Sequence, residues 1–110
     1  GKSLFKSTFY KNIKKILKHN GIAILQSGVP FLQKKEISEV INNTNKIFKH
    51  SGVLLTVVPS YIGGYMALVW ISQGINLKKA KIKKPDIITN YYNHEVCKAA
   101  FSLPNFLKEV

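Results

Sequence analysis

Few residues in this 110-residue chain are of a type and spacing that could do chemistry. Gln26 follows the apolar run Ile22-Ala23-Ile24-Leu25, and its amide offers a donor and an acceptor where that run ends. Open α/β sheets hold their ligands at the carboxyl ends of strands, which suits a contact by Gln26. Tyr61 lies within Pro59-Ser60-Tyr61-Ile62-Gly63-Gly64, a turn segment in which a phenol pairs a hydroxyl with an apolar ring. The plainer readings are a strand-end amide that caps backbone and a turn aromatic packed on the surface. His94 and Cys97 fall three apart on an expected helix and could share a metal ion. Nothing supplies the further ligands of a closed site, and no base is placed beside Cys97, so neither a metal nor a nucleophile is expected.

Charge is the other conspicuous feature. Lysine supplies all 17 basic residues, against five acidic ones, for a net charge of +12. Lysine neutralises phosphate, so a nucleic-acid-binding domain is one reading of that excess. Recognition of base edges usually enlists the planar fork of arginine, which is absent here, so no specific nucleic-acid partner is expected. The cluster Lys78, Lys79, Lys81, Lys83 and Lys84 reads as a solvated connector.

The elements that must position these residues alternate. Phe5, Phe9, Ile13, Ile16 and Leu17 recur at helical spacing, with Ser7 as a possible N-cap and Asn20-Gly21 as a stop. The run at 22–25 is apolar on both faces, as a strand in the middle of a parallel sheet would be. A second helix is predicted from Lys34 to Phe48. Ser51-Gly52 reads as a turn, followed by a strand over 53–58 and another over 65–71. Too few residues separate these two for a crossover, so they should be antiparallel. A last helix is predicted from about Asn93 to Phe101, and Pro104 suits the start of a short closing helix. Trp70 and Met66 read as core, and Tyr91 and Tyr92 as residues that pack the closing helix onto the sheet.

This order fits α/β class, the second half of a Rossmann-like sheet that ends in an antiparallel strand pair and a C-terminal helix. No Gly-rich turn follows a first strand, and no acidic residue closes one to hold a ribose, so the nucleotide-binding half is not expected within these residues. No apolar run approaches the roughly 20 residues that cross a bilayer, so no membrane association is expected. A single cysteine, Cys97, allows no internal disulfide and suits a reducing cytoplasmic setting. The chain opens on Gly1 without an apolar leader or a Met, as a processed chain or a fragment would.

Three segments together resemble the spermidine synthase, or polyamine aminopropyltransferase, family. They are Ser3-Leu4-Phe5 through Phe9-Tyr10, Leu17, Gly21, Gln26 and Pro30-Phe31-Leu32-Gln33; then Val58-Pro59-Ser60-Tyr61-Ile62-Gly63-Gly64; then Tyr91-Tyr92-Asn93-His94-Glu95-Val96 through Ala99-Ala100-Phe101-Ser102-Leu103-Pro104. Order and spacing are kept across nearly the whole chain. Ser60 stands where the family usually has Thr, Asn90 where it often has Arg, and Cys97 where it often has His.

The resemblance implies that residues 1–110 are the C-terminal portion of an aminopropyltransferase domain. It implies transfer of an aminopropyl group from decarboxylated S-adenosylmethionine, a co-substrate, to putrescine, giving spermidine, with no further cofactor and no metal. The family's catalytic Asp would lie just upstream of Gly1, so no catalytic residue is assigned within the chain. Gln26 and Tyr61 match positions that contact the diamine. A cytoplasmic homo-oligomer is implied for the parent enzyme, and the isolated chain is expected to be inactive. The alternative is a truncated, non-catalytic remnant or interaction module.

Overall fold

The computed structural model describes residues 7–81, 83–84 and 86–108. Phe5 of the predicted stripe, the Ser3-Leu4-Phe5 segment and Pro85 lie outside the described residues. The elements run α1 (Ser7–Ile16), β1 (Ala23–Gly28), α2 (Lys34–Ile47), β2 (His50–Val57), β3 (Tyr65–Ser72), α3 (His94–Ala99) and α4 (Asn105–Lys108). The predicted helix–strand order is therefore observed. Ser7 is the first residue of α1 itself.

The three strands form one sheet in the order β1-β3-β2, and both pairings are antiparallel. The β2–β3 hairpin was expected; the position of its second strand was not. β3 inserts beside β1, so that Leu25, Val69 and Val53 stand in one row across the sheet. The central strand is buried along nearly its whole length, in keeping with its β-branched and aromatic composition. The expectation that 22–25 occupies the middle of a parallel sheet is corrected here. Among the described residues β1 pairs only with β3, antiparallel, and Ile24 is 53% exposed. An apolar side chain on the second face of a strand reads the same whether or not that face is covered.

One face carries the core. Leu25, Val53, Ala67, Val69 and Ile71 meet Tyr10 of α1, with Ile37 and Val40 of α2 and Leu107 of α4 completing the cluster. The amphipathic spacing of α1 and α2 turns Phe9, Ile13, Ile37 and Val40 onto this face and leaves their lysines in solvent; Ile16, read as part of the stripe, is 82% exposed at the end of α1. Thr44 is fully buried in α2, and its hydroxyl donates to the Val40 carbonyl at 3.0 Å, which satisfies it within the helix.

The opposite face presents Ile24, Gln26, Leu68, Trp70 and Leu54. Trp70 is 2% exposed and Met66 4%, as their core reading requires. The Trp70 ring lies across Gly52, where a Cβ would fall 2.7 Å from ring Cζ2. Gly52 is thus a strand residue paired with Trp70, and the turn predicted at Ser51-Gly52 is not there. The glycine is a cutaway for the indole, a role that resembles a turn signal when read in sequence.

Asn93 caps α3, its side-chain oxygen accepting from the Val96 amide at 2.8 Å. The chain then passes the outer edge of β2, where the Leu55 amide donates to the Ala100 carbonyl at 2.9 Å. Pro104 stands immediately before α4 and accepts from the Leu107 amide at 3.0 Å. Phe106 of α4 meets Phe31 with ring centroids 5.2 Å apart, so the closing helix is stapled to the turn that leaves β1.

Candidate functional site

The turn leaving β1 is built to present Gln26. A bulge between Gln26 and Gly28 leaves Ser27 without a cross-strand partner, and the Ser27 hydroxyl donates to the Leu25 carbonyl at 3.1 Å. Gly28 has φ +136°, which a side-chain-bearing residue rarely adopts. The Val29 amide then donates to Gln33 Oε1 at 2.9 Å, and the Gln33 amide donates back to the Val29 carbonyl at 2.8 Å. Gln33 thereby clamps the turn from beneath, with its Oε1 only 3.1 Å from where a Gly28 Cβ would lie.

The β2–β3 turn faces it. The Val58 amide donates to the Gly64 carbonyl at 2.8 Å and the Tyr61 amide to the Val58 carbonyl at 3.0 Å. Gly63 and Gly64 both have positive φ, +96° and +75°. A Cβ on Gly63 would sit 2.9 Å from Val29 Cγ1, so the two turns touch through a bare glycine. This contact sets the distance between the side chains they carry.

Gln26 and Tyr61, separated by 35 residues in sequence, meet here, with Gln26 Nε2 donating to Tyr61 Oη at 3.5 Å. That is the outer limit of a hydrogen bond, so the backbone turns hold the pair in place more than the contact itself does. Both side chains are exposed at the mouth of a cleft of about 710 Å³, whose other walls include Leu32, Ile62 and Met66. With Nε2 committed to Tyr61, Gln26 Oε1 remains an acceptor, and the phenol retains a lone pair and a proton. Among the described residues no ionisable side chain other than the Tyr61 phenol lines the cleft. The arrangement can therefore orient a short molecule that has N–H groups at an end and an aliphatic body. It cannot by itself take a proton near neutral pH.

Both site residues singled out in the sequence are thus brought together. Gln33 was legible only as part of the resemblance, yet it fixes the turn; its signal was a Gln five residues beyond a glycine at a strand end. Met66, read as core, is buried and also floors the cleft. His94 and Cys97 lie elsewhere, on α3, and the described residues contain no group of three metal-ligating side chains. Tyr91 and Tyr92 line an apolar hollow of about 610 Å³ with Val96 and Leu54, and both are exposed, at 59% and 44%. A hydrogen bond with the Cys97 side chain raises the Tyr92 phenol above its ordinary value. No helix among the described residues is long and apolar enough to cross a membrane.

With this geometry in place, likeness to known proteins can be stated. The family model of the spermine/spermidine synthase domain matches residues 1–101. A polyamine aminopropyltransferase of Ruegeria sp. (strain TM1040) is 33% identical over 100% of this chain and 41% of its own length. Another, of Buchnera aphidicola subsp. Acyrthosiphon pisum (strain Tuc7), is 37% identical over 97% of this chain and 40% of its own. A crystal structure of spermidine synthase in complex with the transition-state analogue AdoDATO superposes with a TM-score of 0.86 at 28% identity, covering 99% of this chain and 39% of that one. The chain thus spans about two fifths of the length of the relatives it matches.

Proposed function

The chain belongs to the spermine/spermidine synthase domain family, and from that premise we propose that it is the substrate-side, C-terminal portion of an aminopropyltransferase domain. The reaction of the whole enzyme is transfer of an aminopropyl group from decarboxylated S-adenosylmethionine to putrescine, with release of methylthioadenosine. An amine attacks the carbon beside the sulfonium in line, the C–S bond breaks, and the ammonium formed loses a proton. Gln26 Oε1 and the Tyr61 hydroxyl receive and orient the diamine nitrogen, while Leu32, Ile62 and Met66 lie along its methylenes. The proton acceptor and the adenosyl pocket come from residues beyond this chain.

The observation that carries this reading is the meeting of Gln26 and Tyr61 at the mouth of a cleft without carboxylate, His or Lys. A diamine end needs hydrogen-bond acceptors, which the Gln26 amide oxygen and the Tyr61 hydroxyl supply, and an uncharged wall leaves removal of the proton to a group elsewhere. The same observation supports inactivity of the chain alone, as an isolated, non-catalytic module. The parent enzyme on this reading is a cytoplasmic homo-oligomer.

The test is a hybrid in which this chain replaces the matched part of a spermidine synthase relative. The hybrid should release methylthioadenosine from decarboxylated S-adenosylmethionine and putrescine, and the 110-residue chain alone should not. A folded hybrid without turnover refutes the proposal.

A further inference from the structure

A second cavity, of about 490 Å³, lies between the lysine-rich connector and α3, and the diamine reading leaves it unused. Lys78, Lys81, Lys98 and His94 form its polar walls, and Leu77 and Phe101 an apolar side. Among the described residues no carboxylate lines it. Three ammonium groups around one recess repel one another, and a bound anion converts that repulsion into attraction. His94 Nδ1 is buried without a hydrogen-bond partner among the described residues. The His94 ring also lines the recess, so an anion held by the lysines lies against it.

The kind of anion follows from the walls. Three point charges on flexible stems ask for several separate oxygens, which a diphosphate supplies and a single carboxylate does not. A recess of this size admits a small molecule, whereas a polymer backbone calls for a continuous groove. Phe101 gives the recess an aromatic side, the kind of surface on which a nucleobase stacks. We infer that this recess, which is separate from the diamine cleft, is a binding site for a small multivalent phosphate anion of the diphosphate class, held by Lys78, Lys81, Lys98 and His94.

The experiment titrates the chain with inorganic pyrophosphate at an ionic strength of about 0.15 M, where exposed charges are screened beyond roughly 8 Å. Calorimetry reports stoichiometry, and NMR of the His94 ring, assigned with His94→Gln, reports the place. One pyrophosphate per chain should bind and move the His94 resonances. Lys81→Gln and Lys98→Gln should each weaken binding by about tenfold, the loss of one charge-assisted contact. Lys46→Gln removes the same charge from α2, outside the recess, and should change affinity by less than about twofold. ADP binding more tightly than pyrophosphate identifies a nucleotide as the occupant, and equal affinities identify the free diphosphate. No binding, an unmoved His94, or equal weakening by Lys46→Gln overturns the inference. So does an oligonucleotide that displaces pyrophosphate and binds Lys98→Gln as well as the parent, which would leave only the diffuse field of a +12 chain.

Discussion

Removing the two polar groups at the cleft mouth separates binding from folding. Gln26→Ala deletes an acceptor, and Tyr61→Phe deletes a hydroxyl while keeping the ring in the cleft mouth. Both side chains are exposed, and their mutual contact is 3.5 Å long, so each loses little when the other goes. A contact so long and so open to water contributes well under about 0.5 kcal/mol to the fold. A hydrogen bond to a charged or partly charged amine is another matter, at about 1.5–3 kcal/mol. Each substitution should therefore lower kcat/KM for putrescine in the hybrid enzyme by roughly ten- to a hundredfold.

On the proposed reading both groups address one nitrogen, so their effects should be coupled and the double variant should fall short of the product of the two. Affinity for the product methylthioadenosine should barely change, since neither residue belongs to the adenosyl pocket. The assay is steady-state release of methylthioadenosine at varied putrescine, with the melting temperature followed alongside. Activity equal to the parent in both single variants shows that these side chains are structural and sinks the site assignment. A fall in activity matched by a fall in stability does the same, because it traces the loss to the turns.

Other consequences can be measured in the same proteins. Gly63→Ala adds a Cβ 2.9 Å from Val29 Cγ1 at φ +96°, whereas Gly64→Ala at φ +75° meets nothing within 4 Å; both carry a left-handed cost of about 1–2 kcal/mol. The first should therefore destabilise more and raise KM for putrescine, and equal effects on both would deny that the two turns touch. Gly52→Ala places a methyl 2.7 Å from the Trp70 ring and should cost about 1–3 kcal/mol, read by urea denaturation with the shift in Trp fluorescence as its signature; an unchanged midpoint would show that the indole is free to move. Burial raises the Tyr10 phenol above its ordinary pKa of 10.0, so its contribution to stability is complete below about pH 10 and is lost as pH rises through the folded value. Melting temperature should accordingly hold level up to pH 9 and fall above 10 more steeply in the parent than in Tyr10→Phe, and identical alkaline profiles would contradict this. The sheet leaves Ile24, Val57 and Tyr65 partly exposed, at 53%, 44% and 42%, which favours self-association of the isolated chain; sedimentation showing a cooperative monomer would count against it.

Much of the fold was legible because its signals are local. The stripe through Phe9 and Ile13 and the cap at Asn93 each act within one or two helical turns, and both belong to real helices; the stop read at Asn20-Gly21 does not end α1, which closes at Ile16, and Gly21 does not take a positive φ. The errors fell where one residue type answers two physical demands. Gly52 removes a side chain to admit the Trp70 ring, and Ser51-Gly52 offers no sign that this, and not a turn, is its purpose. Ile24 is apolar on a face that the described residues leave half open, and its hydrophobicity alone made β1 read as fully enclosed.

The candidate site tested that limit hardest. Gln26 could be placed at a strand end and Tyr61 in a turn from the sequence, but nothing local says that the two ends coincide. That depends on strand order. With β3 inserted beside β1, the limb of the turn that enters β3 is the one laid against the turn leaving β1. That limb carries Gly63, whose bare Cα lets Val29 approach, and the approach brings the Tyr61 hydroxyl to Gln26. Had β2 taken the middle position, Pro59 and Ser60 would have lain against β1 instead, with a ring and a Cβ where the close contact falls. The glycine pair in the turn is therefore the residue-level trace of a topology decided a whole strand away. Its positive φ values belong to the turn, but its lack of a side chain at residue 63 belongs to the site.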